Sequence, residues 1–166
     1  MALSATAVFG LTAALTKAID LSTANTPLSY RKTIAFTDGT GLNQAQYLFS
    51  DQRTLAASAG EDLDMAGSLV DIYGATLTFA SVKLMAFHVP AAAGAGISVT
   101  AKATNGFVAW VGAAGDAIKV LPGGLAVFIA PAANGYAVTA GTGDLITVTN
   151  LDGAASVTYD VILMGD

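Results

Sequence analysis

Three carboxylates, Glu61, Asp62 and Asp64, crowd the start of one short stretch of this chain, EDLDMAGSLVDIYGATLTF (residues 61–79). Neighbouring carboxylates serve two chemistries. They hold hard cations through oxygen, or they divide into an acid and a base when their surroundings separate their pKa values. Calcium takes about six to eight oxygens from a wrapped loop, and the alternating-acid loop with its Gly and distant Glu is absent here. A glycosidase pair also needs a cleft and rings on which sugars stack. Asp62 and Asp64 are two apart, so in a strand they share one face while Leu63 and Met65 share the other. The acids are expected to form a solvated or interface stripe. Like charges in line on an edge strand also discourage unwanted pairing.

The remaining chemistry-bearing residues are sparse. His88 is the chain's one histidine, in VKLMAFHV. Without a Gly-x-Ser-x-Gly elbow or a cysteine, it has no nucleophile to serve, and a lone imidazole does not make a zinc site. GAGIS and DGTGLN lack the spacing of phosphate-binding loops and are expected to be turns. Trp110 and Phe107, in NGFVAWVG, suggest either a ring pair for stacking a ligand or, more simply, a core or interface anchor. No constellation supplies a positioned base, nucleophile or oxyanion hole. The expectation is a protein that is not an enzyme and carries no catalytic, cofactor-binding or metal-binding residues.

Composition says more than motifs. At 166 residues the chain is long enough for one domain with its own core. It has no cysteine, so disulfides and thiolate chemistry are excluded. Hydrophobic residues make up 54% and charged residues 11%, against a usual charged share of roughly 25%. A surface so poor in charge suits a chain covered by copies of itself or by a partner. Alanine is the largest contributor to the apolar fraction, so the mean hydropathy of +0.61 overstates the burial available. The net charge of −5 and the scattering of the basic residues argue against direct nucleic-acid binding.

The elements that must position these residues are strands. Leu3, Ala5, Ala7, Phe9 and Leu11 alternate with Ser4, Thr6, Val8 and Gly10, the period of a half-buried strand rather than a signal peptide. Residues 1–27 are expected to form an extended N-terminal arm, its apolar positions Leu3, Ala5, Ala7, Phe9 and Leu11 available to an interface together with Trp110. Residues 21–41 look turn-rich with a short apolar run near Ile34–Phe36, and LNQAQYLF suggests a helical turn, with Leu42, Ala45 and Leu48 three apart. Beyond them, short apolar runs such as ISVTAKA, FVAWV, LAVFIAP, DLITVTN and SVTYDVILM are separated by Gly and Pro clusters. Many short strands punctuated this way predict an all-β, antiparallel, jelly-roll-like sandwich over residues 28–166. No run is long and apolar enough to predict a membrane helix.

Five stretches together carry a resemblance: DGTGLNQAQYLFSDQRTLAAS (38–58), residues 61–79, PGGLAVFIAP (122–131), AVTAGTGDLITVTN (137–150) and SVTYDVILMG. They resemble small β-sandwich virion structural proteins of tailed bacteriophages, of the capsid decoration or cement type. The resemblance carries no catalytic motif and transfers no functional residue. It implies a virion protein on the capsid exterior, with the major capsid protein and neighbouring copies of itself as partners. A homo-oligomer is expected, and a trimer would suit local threefold positions. Three other functions are compatible with a charge-poor β-sandwich. A tail or baseplate subunit differs in copy number. A carbohydrate-binding module needs Trp110 or Tyr136 exposed, and an enzyme needs the Glu61, Asp62 and Asp64 cluster to titrate as a site.

Overall fold

The structure, a computed structural model, describes residues 2–92 and 94–166. Among these residues the chain forms strands and no helix. It opens with a long ribbon in which β1 (Ala5–Ile19) pairs antiparallel with β2 (Ser22–Asp38). A short step, β3 (Gln44–Ala45), leads into the body, whose first strand is β4 (Tyr47–Leu55). There follow β5 (Gly60–Asp64), β6 (Ser81–His88), β7 (Ile97–Ala101), β8 (Ala117–Val120) and β9 (Leu125–Ile129). The last are β10 (Tyr136–Ala137), β11 (Leu145–Asn150) and β12 (Val157–Gly165).

The body is two antiparallel sheets face to face, the expected all-β sandwich. The larger runs β10-β6-β12-β4, with β9 also paired to β6, and the smaller runs β5-β11-β7-β8. Strict alternation builds the core between them. Tyr159, Val161 and Leu163 of β12 point inward beside Met85 and Phe87 of β6. Ile97 and Val99 of β7, Ile146 and Val148 of β11 and Leu63 of β5 face them from the other sheet. The β12 ladder shifts register against β6 between Met164 and Gly165. Gly165 is required there, because a Cβ would run into the Ser81 carbonyl oxygen.

Three local expectations are corrected. The segment around Leu42–Leu48 is not helical; it forms β3 and the start of β4, and only Ala45 of the three spaced residues is buried. FVAWV is not a strand but a looped segment whose Phe107 and Trp110 both turn into the core. Residues 22–38, read as a turn-rich connection, form the second strand of the ribbon, so the arm returns on itself and reaches Asp38 rather than ending near residue 27.

A polar group sits where the pattern of β6 allows only apolar ones. Lys83 shares the inward face with Met85 and Phe87 and is fully buried. Its Nζ donates to the carbonyl oxygens of Ala132 (2.9 Å) and Ala133 and lies 3.2 Å from Asp166 Oδ2. Asp166 Oδ1 in turn accepts from Ser81 Oγ at 2.7 Å. Removing one member of a buried pair strands the other without water, which costs about 3–5 kcal/mol. Lys83→Met is therefore expected to lower the unfolding free energy in urea by about that amount. Combining it with Asp166→Asn should cost much less than the sum of the two single changes.

Candidate interaction surface

The three sequence-predicted acids are split by the fold. Asp62 and Asp64 face outward on β5, an edge strand, as their spacing implies. Asp62 accepts from Lys102 Nζ and from Thr147 Oγ1 (2.6 Å), and these contacts, Lys102 first, hold its carboxyl below the ordinary value of 3.8. Asp64 Oδ1 accepts from the Ala66 amide at 2.8 Å, closing a turn. Glu61, one residue away, faces the other side of the sheet. It takes the Tyr159 hydroxyl at 2.8 Å and the Arg53 guanidinium, tying β5 of one sheet to β12 and β4 of the other. Each carboxylate is thus committed to a separate partner. Among the described residues no group of three or more His, Asp or Glu side chains is gathered as a metal ion requires.

His88 and Trp110 are placed equally clearly. His88 lies on the outer face of the larger sheet, with Nδ1 3.0 Å from Asp160 Oδ2 on the neighbouring strand. That contact, with a second hydrogen bond from Gln52, keeps the Asp160 carboxyl below the ordinary carboxylate range. Trp110 does not stand at an interface. It is 8% exposed, its Nε1 donates to the Phe107 carbonyl at 2.8 Å, and its ring meets Phe128 edge-on at 5.0 Å between centroids. The loop that carries it folds inward to satisfy the indole N–H, so the ring presents no face on which a sugar could stack.

The unexplained surface is the arm. β1 and β2 keep one register from Ala5↔Phe36 to Ile19↔Ser22, joined by Asp20 and Leu21. Residues directly opposite share a face, and the two faces differ. One carries Thr6, Thr12, Thr16, Asn25, Ser29, Arg31 and Thr33. The other carries Ala5, Ala7, Phe9, Leu11, Leu15 and Ile19 from β1, with Leu28, Tyr30, Ile34 and Phe36 from β2; Lys17 and Lys32 are the cations within it. At its base this apolar face is seated on the body: Leu3, Ala5, Ala7, Ile34 and Phe36 pack with Ala45, Leu84, Ile129 and Met164. From Val8 to Thr33 every residue is exposed. Phe9 is 59%, Leu15 77% and Leu21, at the tip, 99% exposed. Of the predicted interface positions, Leu3, Ala5 and Ala7 are thus half-buried against the body, while Phe9 and Leu11 stand free.

The dimensions make this costly. Twelve residue pairs lie beyond the seat, which at about 3.3 Å per residue is a ribbon about 40 Å long and about 10 Å wide. Its apolar face has a footprint of about 400 Å², as large as the largest patch on an ordinary monomer. Covering that area is worth about 10 kcal/mol before the cost of association. A two-stranded ribbon with neither face covered is marginal in water. No protein-family model, curated protein or solved structure matches this chain.

Two measurements check these assignments. Burial, and then the bond to Glu61, pushes the Tyr159 hydroxyl far above its ordinary value of 10.0. A raised folded-state pKa stabilises fully below the unfolded value and is lost as pH rises past it. Unfolding free energy should fall above about pH 10, and part of that slope should vanish in Tyr159→Phe. For the arm, Leu11→Glu combined with Leu28→Glu is expected to leave the denaturation midpoint of the body within about 0.5 kcal/mol of the parent. The same change should sharply reduce binding of an apolar dye to the native protein.

Proposed function

We propose that this chain is a structural subunit that fastens neighbouring proteins together in a larger assembly, with the β1–β2 arm as the fastener. One observation carries this: a ribbon about 40 Å long whose apolar face begins in the protein's own core and continues, uncovered, beyond it. Another protein surface would complete such a face. The body supplies a rigid anchor, and the poverty of charge over the whole chain suits a molecule with much of its surface shared.

The assembly we propose is the head of a tailed bacteriophage, with the chain on the capsid exterior as a decoration or cement protein. This placement rests on the sequence resemblance. Its partners there are the major capsid protein and neighbouring copies of the chain. The physics is linkage: a subunit that binds the closed lattice and not its separated parts stabilises the lattice by the free energy of its own binding. Repeated at many sites, clasps across subunit boundaries resist expansion under internal pressure.

The test uses particles. A shortened chain in which Ala7 is joined to Ile34 through an Asn-Gly turn keeps the seated base, since those two residues are paired. It is expected to fold with unchanged body stability and to fall at least about tenfold in copies per purified particle, since every tenfold in occupancy reflects about 1.4 kcal/mol of lost contact. The parent should approach the major capsid protein in copy number by quantitative mass spectrometry. A few to a few dozen copies would move it to the tail or a vertex, and absence from particles would remove the head placement.

A further inference from the structure

The seat of the arm shows what kind of surface its apolar face fits. The outer face of the larger sheet is a grid of aligned rows. Ile129, Leu84, Met164 and Leu48 form the first row across β9, β6, β12 and β4. Val127, Ala86, Ile162 and Ser50 form the second, and Leu125, His88, Asp160 and Gln52 the third. The chain's own arm packs on Ile129, Leu84 and Met164 of the first row, with Met164 only 2% exposed beneath it, while Leu48 at the row's end stays exposed. The second and third rows are left open, with Val127, Ile162 and Leu125 among the exposed large apolar side chains of the body.

One molecule therefore carries an unpartnered apolar face on the arm and exposed apolar side chains on the sheet, and the fold already packs the arm's base on the first row of that sheet. Arm and body are also complementary in charge. The arm, residues 5–38, carries Lys17, Arg31 and Lys32 against Asp20 and Asp38, whereas from residue 39 onward four cations stand among ten acids. Within the apolar faces themselves the match is sharper. Lys17 and Lys32 project from the arm's apolar face, and the third row of the grid holds Asp160, whose side chain is 40% exposed. A carboxylate offers about four acceptor positions, and His88 and Gln52 occupy two of them.

We infer that the arm's apolar face is covered by a second copy of this chain, docking on the second and third rows of that copy's outer sheet with Lys32 opposite Asp160. The contact extends to a neighbour the packing that the arm's base makes within its own chain. It rests on the proposal that the arm is an assembly element and names the partner of that element. Because arm and grid are different surfaces, copies close either by reciprocal exchange in pairs or head to tail around a ring.

The test uses the full chain. Tyr30→p-benzoylphenylalanine places a photo-cross-linker on the arm's apolar face, and an equal mixture of unlabelled and 15N-labelled protein separates contacts between copies from contacts within one. The expected result is mixed-isotope cross-links to residues 125–129 and 158–162. In sedimentation, Asp160→Lys should weaken self-association about tenfold, roughly what one charge-assisted contact contributes, and Lys32→Asp added to it should restore most of the loss. Cross-links confined to one chain, or landing elsewhere on a second copy, would overturn the inference. So would a protein that stays monomeric at about 100 μM, far above the micromolar dissociation constants of weak specific interfaces, or that sediments with phosphatidylcholine vesicles as a monomer. A monomer that still occupies phage particles, its arm cross-linked to the major capsid protein, would overturn this inference and leave the proposed function standing. A dimer or ring with the expected cross-links that is absent from particles would do the reverse.

Discussion

Phe36, seated with Ala45 against Met164, Leu84 and Ile129, fixes how the arm leaves the body. Side chains alternate along a strand, so the face that is buried at Ala5 and Phe36 is obliged to continue as the same face out to Ile19 and Ser22. No register shift interrupts the fifteen-residue strand β1 against its partner. A bulge would have let the ribbon bend and turn its apolar side back over the sandwich. Without one, the seat covers the first turn of the pattern and the remainder projects. The exposed stripe is thus a geometric consequence of a short seat and a straight ladder.

The body beneath is organised the opposite way, with its inward polar groups paired across long sequence distances. Asn150 donates to the carbonyls of Leu55, Ala56 and Ala155, closing the corner where β4 ends. Glu61 bridges the two sheets through Tyr159 and Arg53, and Lys83 ties β6 to the loop at Ala132 and to Asp166. Paired polar groups of this kind help to fix one arrangement of the core.

Much of this could be read from the sequence, in proportion to how local its causes are. Alternation over Leu3–Leu11 announced the arm, and the short punctuated runs announced the sandwich. The outward pair Asp62 and Asp64 followed from their spacing. The return strand of the arm did not show itself, because the connecting Asp20-Leu21 has none of the Asn-Gly or Asp-Gly character that marks two-residue hairpins. Neither residue sits at positive φ. Ser, Thr, Asn and Pro on the return strand also mimic a loop, although they belong mainly to its polar face. Glu61 was grouped with its neighbours because its partner Tyr159 is 98 residues away. The sequence leaves Trp110 between core and interface, because the acceptor of its indole N–H, the Phe107 carbonyl, depends on how the intervening loop turns.

The place of β12 in the larger sheet has a bearing on time as well as shape. It lies between β6 and β4, and its pairing with β4 joins Leu55 to Val157. Pairings of such separation form in milliseconds to seconds, whereas a local hairpin closes in about 1–10 μs. The ribbon therefore begins to form and dissolve long before Met164 is in position to receive its base. During that interval the whole apolar stripe, including the part later seated, is open to other chains.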